Sequence, residues 1–130
     1  MVICLLLSGS QAFAVLVDNG DGTVTDTTTN LMWSQNDAPF IQNWEQAIYF
    51  CEHLGLGGYY NWRIPTLTEL QSLVDEDQFD PTINTTFFPS TSSMKYLSST
   101  GYYGYGQVAC VDFYDGHVSG FDKLHGGMIE

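Results

Sequence analysis

The sequence has few cationic residues. The 130 residues include 15 acidic side chains and only three cationic ones, Arg63, Lys95 and Lys123, which gives a net charge of −12. Nucleic acids, heparin-like polyanions and anionic membrane surfaces would repel such a chain, because binding them depends on cationic contacts and counterion release. We therefore expect no nucleic acid partner and no association with anionic lipid.

Long apolar runs are also missing. No stretch approaches the 18 or more consecutive apolar residues of a membrane-spanning helix, so we expect no membrane insertion. Hydrophobic residues nevertheless make up 44% of the chain and aromatic residues 15%, which is enough to bury a core against the entropy cost of ordering. The composition predicts one compact domain, and the low charged content is typical of a secreted, loop-rich surface protein.

The first 14 residues have the pattern of a secretory signal peptide. The apolar run 2–7 is followed by Ala12-Phe13-Ala14, a small-x-small cleavage pattern. No Lys or Arg precedes the run, so the signal peptide would be incomplete at its N-terminus. We predict a signal peptide over residues 1–14 and a single domain over residues 15–130, secreted or at the cell surface, the periplasm included. The alternative is that the first segment is a buried strand.

Cysteine is scarce. Cys4 would leave with the signal peptide, and Cys51 and Cys110 would remain in an oxidising compartment where a disulfide is allowed. The sequence has no Cys-x-x-Cys pair and no His/Cys cluster with zinc spacing. No metal and no cofactor are therefore predicted.

Turn signals predict a meander of strands at the start of the domain. Short strands at 16–18 and 23–25 flank the turn Asn19–Gly22, and a second turn leads to a strand at 31–33. The spacing of the Asp-rich turn does not match a calcium-binding EF-hand loop. Residues that tolerate the left-handed conformation explain the turn without a metal.

Two helices are predicted after the meander. Asn43 can cap a helix that ends at Gly55, and its apolar repeat directs Cys51 into the core. The segment Thr66–Glu69 is a capping box that begins a second helix, which would end at the acidic run 75–77.

The tail is predicted to be a hairpin with Asp115-Gly116 as its turn, the strongest local hairpin signal in the chain. A two-residue loop would pair Tyr114 with His117, and strand alternation would direct side chains to opposite faces. The predicted core face carries Val111, Phe113 and Val118, and the face away from the core carries Cys110, Asp112, Tyr114, His117 and Ser119. Whether Cys51 and Cys110 are bonded stays open.

Several motifs follow one another in a fixed order along nearly the whole predicted domain. They are Val17–Asp26, Leu31–Trp33, a helix with Trp and Cys, Asn61–Thr66 followed by Glu69-Leu70, Tyr96–Thr100, and Val111–Phe113 with Gly116. In this order they resemble the bacterial family named after the C-terminal domain of the Legionella collagen-like adhesin. The resemblance implies an α+β, C-type-lectin-like fold, similar also to formylglycine-generating enzymes, with two helices packed on a small, distorted antiparallel sheet with long loops. The type member is a surface adhesin whose domain trimerises and binds sulfated glycans.

Two departures from the family pattern concern the second half of the chain. The family usually has Trp where this chain has Leu97, and it usually finishes with a strand bearing an Arg-Cys-Val-Arg-like motif, where this chain has Gly126–Glu130. The resemblance therefore implies that the final strand is truncated. It also implies that Cys51, which would pair with the cysteine of that strand, has lost its partner.

No catalytic group is apparent. In the predicted register Cys110 and His117 lie four residues apart along the ladder, about 13 Å at strand rise, which is too far for proton transfer. Cys51 and His53 do not face each other on a helix. The Glu-Pro-Asn and Gln-Pro-Asp loops of calcium-dependent lectins are also absent. We therefore predict a protein that is not an enzyme; a formylglycine-generating-type activity is the weakest alternative.

Aromatic recognition is the stronger lead. Tyrosines between glycines offer flat apolar faces with hydroxyl tips, which suit sugars or protein partners, although one or two of them could instead pack beneath the loop. The polar face of the hairpin would lie beside them. The candidate binding residues are Tyr102, Tyr103, Tyr105, Asp112, Tyr114 and His117. The sequence thus predicts an exported binding domain for a glycan or a surface protein, with a structural or oligomerising head domain as the alternative.

Overall fold

The computed structural model describes residues 3–7, 16–37, 43–104, 106–124 and 128–129. Within these residues the predicted α+β class is confirmed. The strands are β1 Leu5–Leu7, β2 Leu16–Asp18, β3 Thr23–Asp26, β4 Leu31–Ser34, β5 Lys95–Gly101, β6 Gln107–Asp112, β7 Val118–Asp122 and β8 Met128–Ile129, and the helices are α1 Trp44–Glu52 and α2 Leu67–Gln71. Neither helix is long and apolar enough to cross a membrane, within the part of the chain that is described.

The strands form two antiparallel sheets of four strands each, in the orders β1-β4-β3-β2 and β5-β6-β7-β8. The expectation of one small sheet is therefore wrong. Among the described residues, the opening strands pair with one another and with β1, and no strand of the second half of the chain pairs with them.

The opening meander itself is confirmed. The Oδ1 atoms of Asp18 and Asp21 accept hydrogen bonds from the amides of Gly20 and Thr23, at 2.9 and 3.0 Å. Gly22 has φ +87°, in the left-handed region that glycine adopts without strain. These carboxylates therefore already have donors within the turn, in keeping with a turn built without a metal.

Both helix starts are as predicted. Asn43 accepts the amide of Gln46 at 2.9 Å, and Thr66 and Glu69 form a reciprocal capping box. However, α2 ends at Gln71, earlier than expected. The next amides bond three residues back, Leu73 to the carbonyl of Leu70 at 3.1 Å, and this tightens the chain into turns.

Strands β5, β6 and β7 are buried on both faces along part of their length, because alternate side chains enter two separate core clusters. One cluster lies under α1 and contains Ala47, Cys51, Leu97, Val108, Cys110 and Phe121. The other contains Leu70, Leu73, Tyr96, Val111 and Phe113, with Val118 packed against it. The predicted alternation is correct, but the expectation that Cys110 points away from the core is wrong, since the α1 side covers that face.

The hairpin register differs by two residues from the expected one. Val111 pairs with Val118, and a five-residue loop, 113–117, replaces the two-residue turn. The physical reason is that Phe113 is bonded outside the hairpin: its amide donates to Met94 O at 2.8 Å and its carbonyl accepts from Thr82 N at 2.7 Å. A shift of two keeps every side chain on its face.

The N-terminal segment belongs to the core in this structure. Ile3, Cys4 and Leu5 are buried, and β1 pairs with β4. Cys4 forms a disulfide with Cys51, with 5.7 Å between their Cα atoms, and Cys110 is a buried free thiol. Cys51 thus has a partner, which is not Cys110. The signal peptide over residues 1–14 stays a prediction, because burial in the whole chain does not test cleavage.

The last described strand, β8, is two residues long and pairs with Gly120 and Phe121 of β7. A closing strand is therefore present but short. Its truncation relative to the family stays a prediction.

Candidate binding surfaces

The structure does not bring the predicted site residues together. Tyr102 and Tyr103 lie in the loop between β5 and β6, whereas Asp112, Tyr114 and His117 lie at the other end of β6. The six residues of β6 separate the two groups by about 17 Å at strand rise. The expectation that they are neighbours is therefore wrong. Tyr105 lies outside the described residues.

The tyrosine loop carries one fully displayed ring. Tyr103 is 95% exposed, and its ring meets that of the half-buried Tyr102 edge-on, with centroids 4.6 Å apart. The loop is closed by a hydrogen bond from Tyr102 N to Gln107 O at 3.2 Å. Tyr102 thus partly packs against the loop, and Tyr103 faces solvent.

The other end of β6 carries an exposed apolar cluster. Phe79, Met94 and Tyr114 are 65%, 53% and 44% exposed, and the rings of Phe79 and Tyr114 meet edge-on at 4.8 Å. Backbone hydrogen bonds join their segments, from Asp80 N to Tyr114 O and from Phe113 N to Met94 O. We call Phe79, Met94, Asp112, Tyr114 and His117 the hairpin-end surface.

Carboxylates fix the loop of the hairpin-end surface. Asp112 Oδ1 accepts the amide of Tyr114 at 2.8 Å, and Asp115 Oδ1 accepts that of His117 at 2.9 Å. Gly116 has φ +86°, and a Cβ there would lie 3.1 Å from Val74 Cγ1. The loop is therefore held in one shape, and Asp112 has a structural role besides its predicted binding role.

A groove beside α1 was not predicted. Its volume is about 700 Å³, and its lining comprises Asn43, Glu45, Gln46, Tyr49, Phe50, His53, Leu54 and Gly55. We call it the α1 groove. The rings of Tyr49 and His53 stack, with centroids 3.8 Å apart and planes 20° from parallel. The i, i+4 spacing of these two aromatic residues is the sequence signal that could have revealed it.

Two contacts involve residues that line the α1 groove. His53 Nδ1 lies 2.9 Å from the carbonyl of Tyr49; since a carbonyl only accepts, we place the proton on Nδ1, which makes Nε2 an acceptor in the neutral ring. The Tyr60 ring packs on Gly55, where an added Cβ would lie 2.7 Å from Tyr60 Cε1.

Arg63 borders a smaller groove of about 350 Å³ that Trp44 also lines. Lys123 Nζ lies 4.3 Å from the centroid of the Trp44 ring. Arg63 forms a bidentate pair with Glu69, both contacts at 2.9 Å, which raises the pKa of Arg63 and lowers that of Glu69. Arg63 thus has a structural role. Trp44 is only partly buried.

The profile of the Lcl C-terminal domain family matches residues 22–129. The chain belongs to this family. The resemblance read from the sequence motifs is thereby confirmed, and membership indicates a surface-associated, adhesin-like domain. No match is found among curated proteins or solved structures.

In this Lcl C-terminal domain Cys110 is enclosed in the core, whereas His117 is exposed. Cys110 is buried against Ser119, with Sγ 3.4 Å from the Ser119 carbonyl, and burial raises the pKa of its thiol. His117 lies in the exposed loop after β6. Among the described residues no group of three or more His, Cys, Asp or Glu side chains could hold a metal ion.

Proposed function

We propose that this Lcl C-terminal domain is an exported, non-enzymatic binding domain that attaches to glycans through exposed aromatic side chains. One observation carries the proposal: rings are paired at the surface in three places, Tyr49 with His53, Phe79 with Tyr114 and Tyr102 with Tyr103. Large aromatic rings are normally buried when a protein has no use for them at the surface. Paired rings are also partly ordered before a ligand arrives, which lowers the entropy cost of binding.

The α1 groove supports glycan binding best, because it is concave and combines a stacked ring pair with polar side chains. The face of a sugar ring is apolar and can lie on Tyr49. Its hydroxyl groups can donate to His53 Nε2 or bond to the amides of Asn43 and Gln46. The groove contains Glu45 and no cation, so its chemistry suits a neutral sugar better than a sulfated one.

The same proposal includes a C-type-lectin-like fold, export by the predicted signal peptide and self-association as a trimer. Two helices, short antiparallel strands and the long connection between α2 and β5 support the fold. Sedimentation of the purified chain would test the trimer, and N-terminal sequencing of the secreted protein would test cleavage after Ala14.

A second candidate function is a head domain that binds a protein, either a second copy or another surface component. The hairpin-end surface favours it, since the rings of Phe79 and Tyr114 meet there and Met94 is exposed as well. Clusters of this kind, rimmed by polar residues, mark protein contacts.

A glycan array, run with and without calcium, tests the first proposal. Tyr49→Ala should weaken binding to neutral glycans about fivefold, because losing one aromatic contact costs about 1 kcal/mol. Tyr59→Ala is the matched control, since Tyr59 is another exposed tyrosine and does not line the α1 groove. Tyr103→Ala and Tyr114→Ala report on the two loop surfaces. Binding that survives Tyr49→Ala but not Tyr103→Ala would move the site to the tyrosine loop, and the absence of any glycan signal would contradict the proposal.

A further inference from the structure

Strand β1 lies between two other backbone segments. On one side it pairs with β4, with Leu5 opposite Trp33. On the other side Leu5 exchanges two backbone hydrogen bonds with Arg63, at 2.9 and 3.1 Å. Taking β1 away would leave facing backbone donors and acceptors without partners on both sides of the gap, which is costly for buried groups.

The side chains of this segment enter both core clusters. Cys4 lies in the cluster under α1, whereas Ile3 and Leu5 lie in the other, and none is more than 3% exposed. Cys4 and Ser34 also exchange hydrogen bonds, from Ser34 N to Cys4 O and from Cys4 N to Ser34 Oγ, both at 2.9 Å. The space that this segment fills therefore fits an extended backbone that carries aliphatic side chains on one face and a small side chain on the other.

A second cysteine lies at the same place. Cys51 of α1 bonds Cys4 and is itself fully buried. A segment that carries a cysteine between two aliphatic residues would make all three kinds of contact. Its backbone would hydrogen-bond on both sides, its aliphatic side chains would be buried, and its cysteine would form a disulfide with Cys51.

We propose that this place is a strand-acceptor slot, and that it takes an extended apolar segment with a central cysteine from a separate polypeptide. Residues 3–7 show the chemistry of the occupant: Ile-Cys-Leu, followed by two more leucines. Strand addition of this kind gains affinity from main-chain hydrogen bonds and specificity from alternate side-chain pockets. The proposed export gives the slot a use, since cleavage after Ala14 would leave the present occupant covalently joined to the domain only through the Cys4–Cys51 disulfide, but the slot does not depend on any glycan binding.

The covalent step is a thiol–disulfide exchange that needs no added oxidant. The thiolate of the incoming cysteine attacks the sulfur of Cys51, the Cys4–Cys51 bond breaks, and Cys4 leaves as a thiolate that takes up a proton. One disulfide is lost and one is formed.

The full chain, with a protease recognition sequence inserted between residues 11 and 12, allows a direct test. The folded protein is cleaved there and incubated with a fluorescent peptide of residues 1–10. We expect the peptide to become disulfide-bonded to Cys51, as shown by non-reducing electrophoresis and by the mass of the Cys51 peptide. The same peptide with Leu5→Asp keeps the cysteine but cannot fill the apolar pocket, so its capture should fall at least tenfold. Cys51→Ser in the domain should abolish covalent capture.

Each outcome decides the proposal. Equal capture of the parent and Leu5→Asp peptides would show thiol reactivity without a slot and would overturn it. So would the absence of capture by cleaved protein whose circular dichroism spectrum is unchanged. Neither result would bear on the glycan array, so the two proposals fail independently.

Discussion

Among mild treatments of this protein, we expect reduction of the Cys4–Cys51 disulfide to lower its stability most. The bond joins residues 47 apart in the sequence, and it ties the N-terminal segment to α1. Reducing it leaves every side chain in place, so the change in stability reports the cross-link rather than a cavity.

The magnitude follows from the size of the closed loop. A cross-link over about 48 residues lowers the entropy of the unfolded chain by an amount worth about 4 kcal/mol at 25 °C. For 130 residues, the unfolding entropy of about 2.1 cal/mol/K per residue converts this loss to a fall of about 15 °C in the melting temperature. Since domains are stabilised by roughly 5–15 kcal/mol, the reduced protein would keep only part of its stability.

The assay is urea unfolding of oxidised and reduced protein, followed by tryptophan fluorescence. Alkylation of the denatured chain and mass spectrometry count the thiols, with one expected before reduction and three after it. A parallel pair of oxidised and reduced Cys110→Ala samples excludes exchange with the third cysteine and serves as the control.

A stability difference below about 1 kcal/mol would refute the reasoning, because the loop-entropy account requires several times more. A disulfide-linked peptide containing Cys51 and Cys110 would refute the structure of the core itself.

Three further outcomes are expected. A chain beginning at Val15 loses the buried Ile3, Cys4 and Leu5, so its unfolding free energy should fall by more than about 3 kcal/mol in urea; equal stability would show that the leader contributes nothing to the core. Glu69→Gln removes the charge that pairs with Arg63 but keeps a side-chain oxygen for the capping box, and should cost about 1 kcal/mol near neutral pH. Because Arg63 lowers the pKa of Glu69 from 4.5, this contribution is complete above about pH 4.5 and disappears as the pH falls through the folded-state value, so parent and variant should converge in acid; a gap that persists at pH 2 would contradict the charge argument. Heparin should retain the protein weakly or not at all at about 0.15 M salt, since Arg63 is already paired with Glu69; retention to higher salt on a heparin column would restore sulfated glycans as the ligand class.

The sequence predicted the elements whose causes are local. Asn43 and Thr66 cap their helices through contacts within three residues, and the opening turn is formed by its own carboxylates and glycines. The register of the last hairpin was missed because Phe113 is held by Met94 and Thr82, which are distant in sequence. A turn signal cannot report such partners.

At the candidate site, too, some features could be predicted from the sequence and others could not. Tyr103 was expected at the surface and is there. The α1 groove was missed, although the spacing of Tyr49 and His53 was readable in the sequence. The N-terminal strand was set aside because an apolar run before Ala-x-Ala has the composition of both a leader and a buried strand.

The two-sided burial of β6 limits where this domain can vary. From Val108 to Val111 every side chain is enclosed, alternately by one core and by the other, so no position along that stretch can accept a polar residue without disturbing packing. Exposed positions in the loops beyond its two ends, Tyr103 and Gly104 on one side and Tyr114 and His117 on the other, are free of that restriction. A combinatorial library that aims at new specificities should therefore randomise these positions and hold β6, Phe113 and Gly116 constant, so that the strand supports two separately variable surfaces.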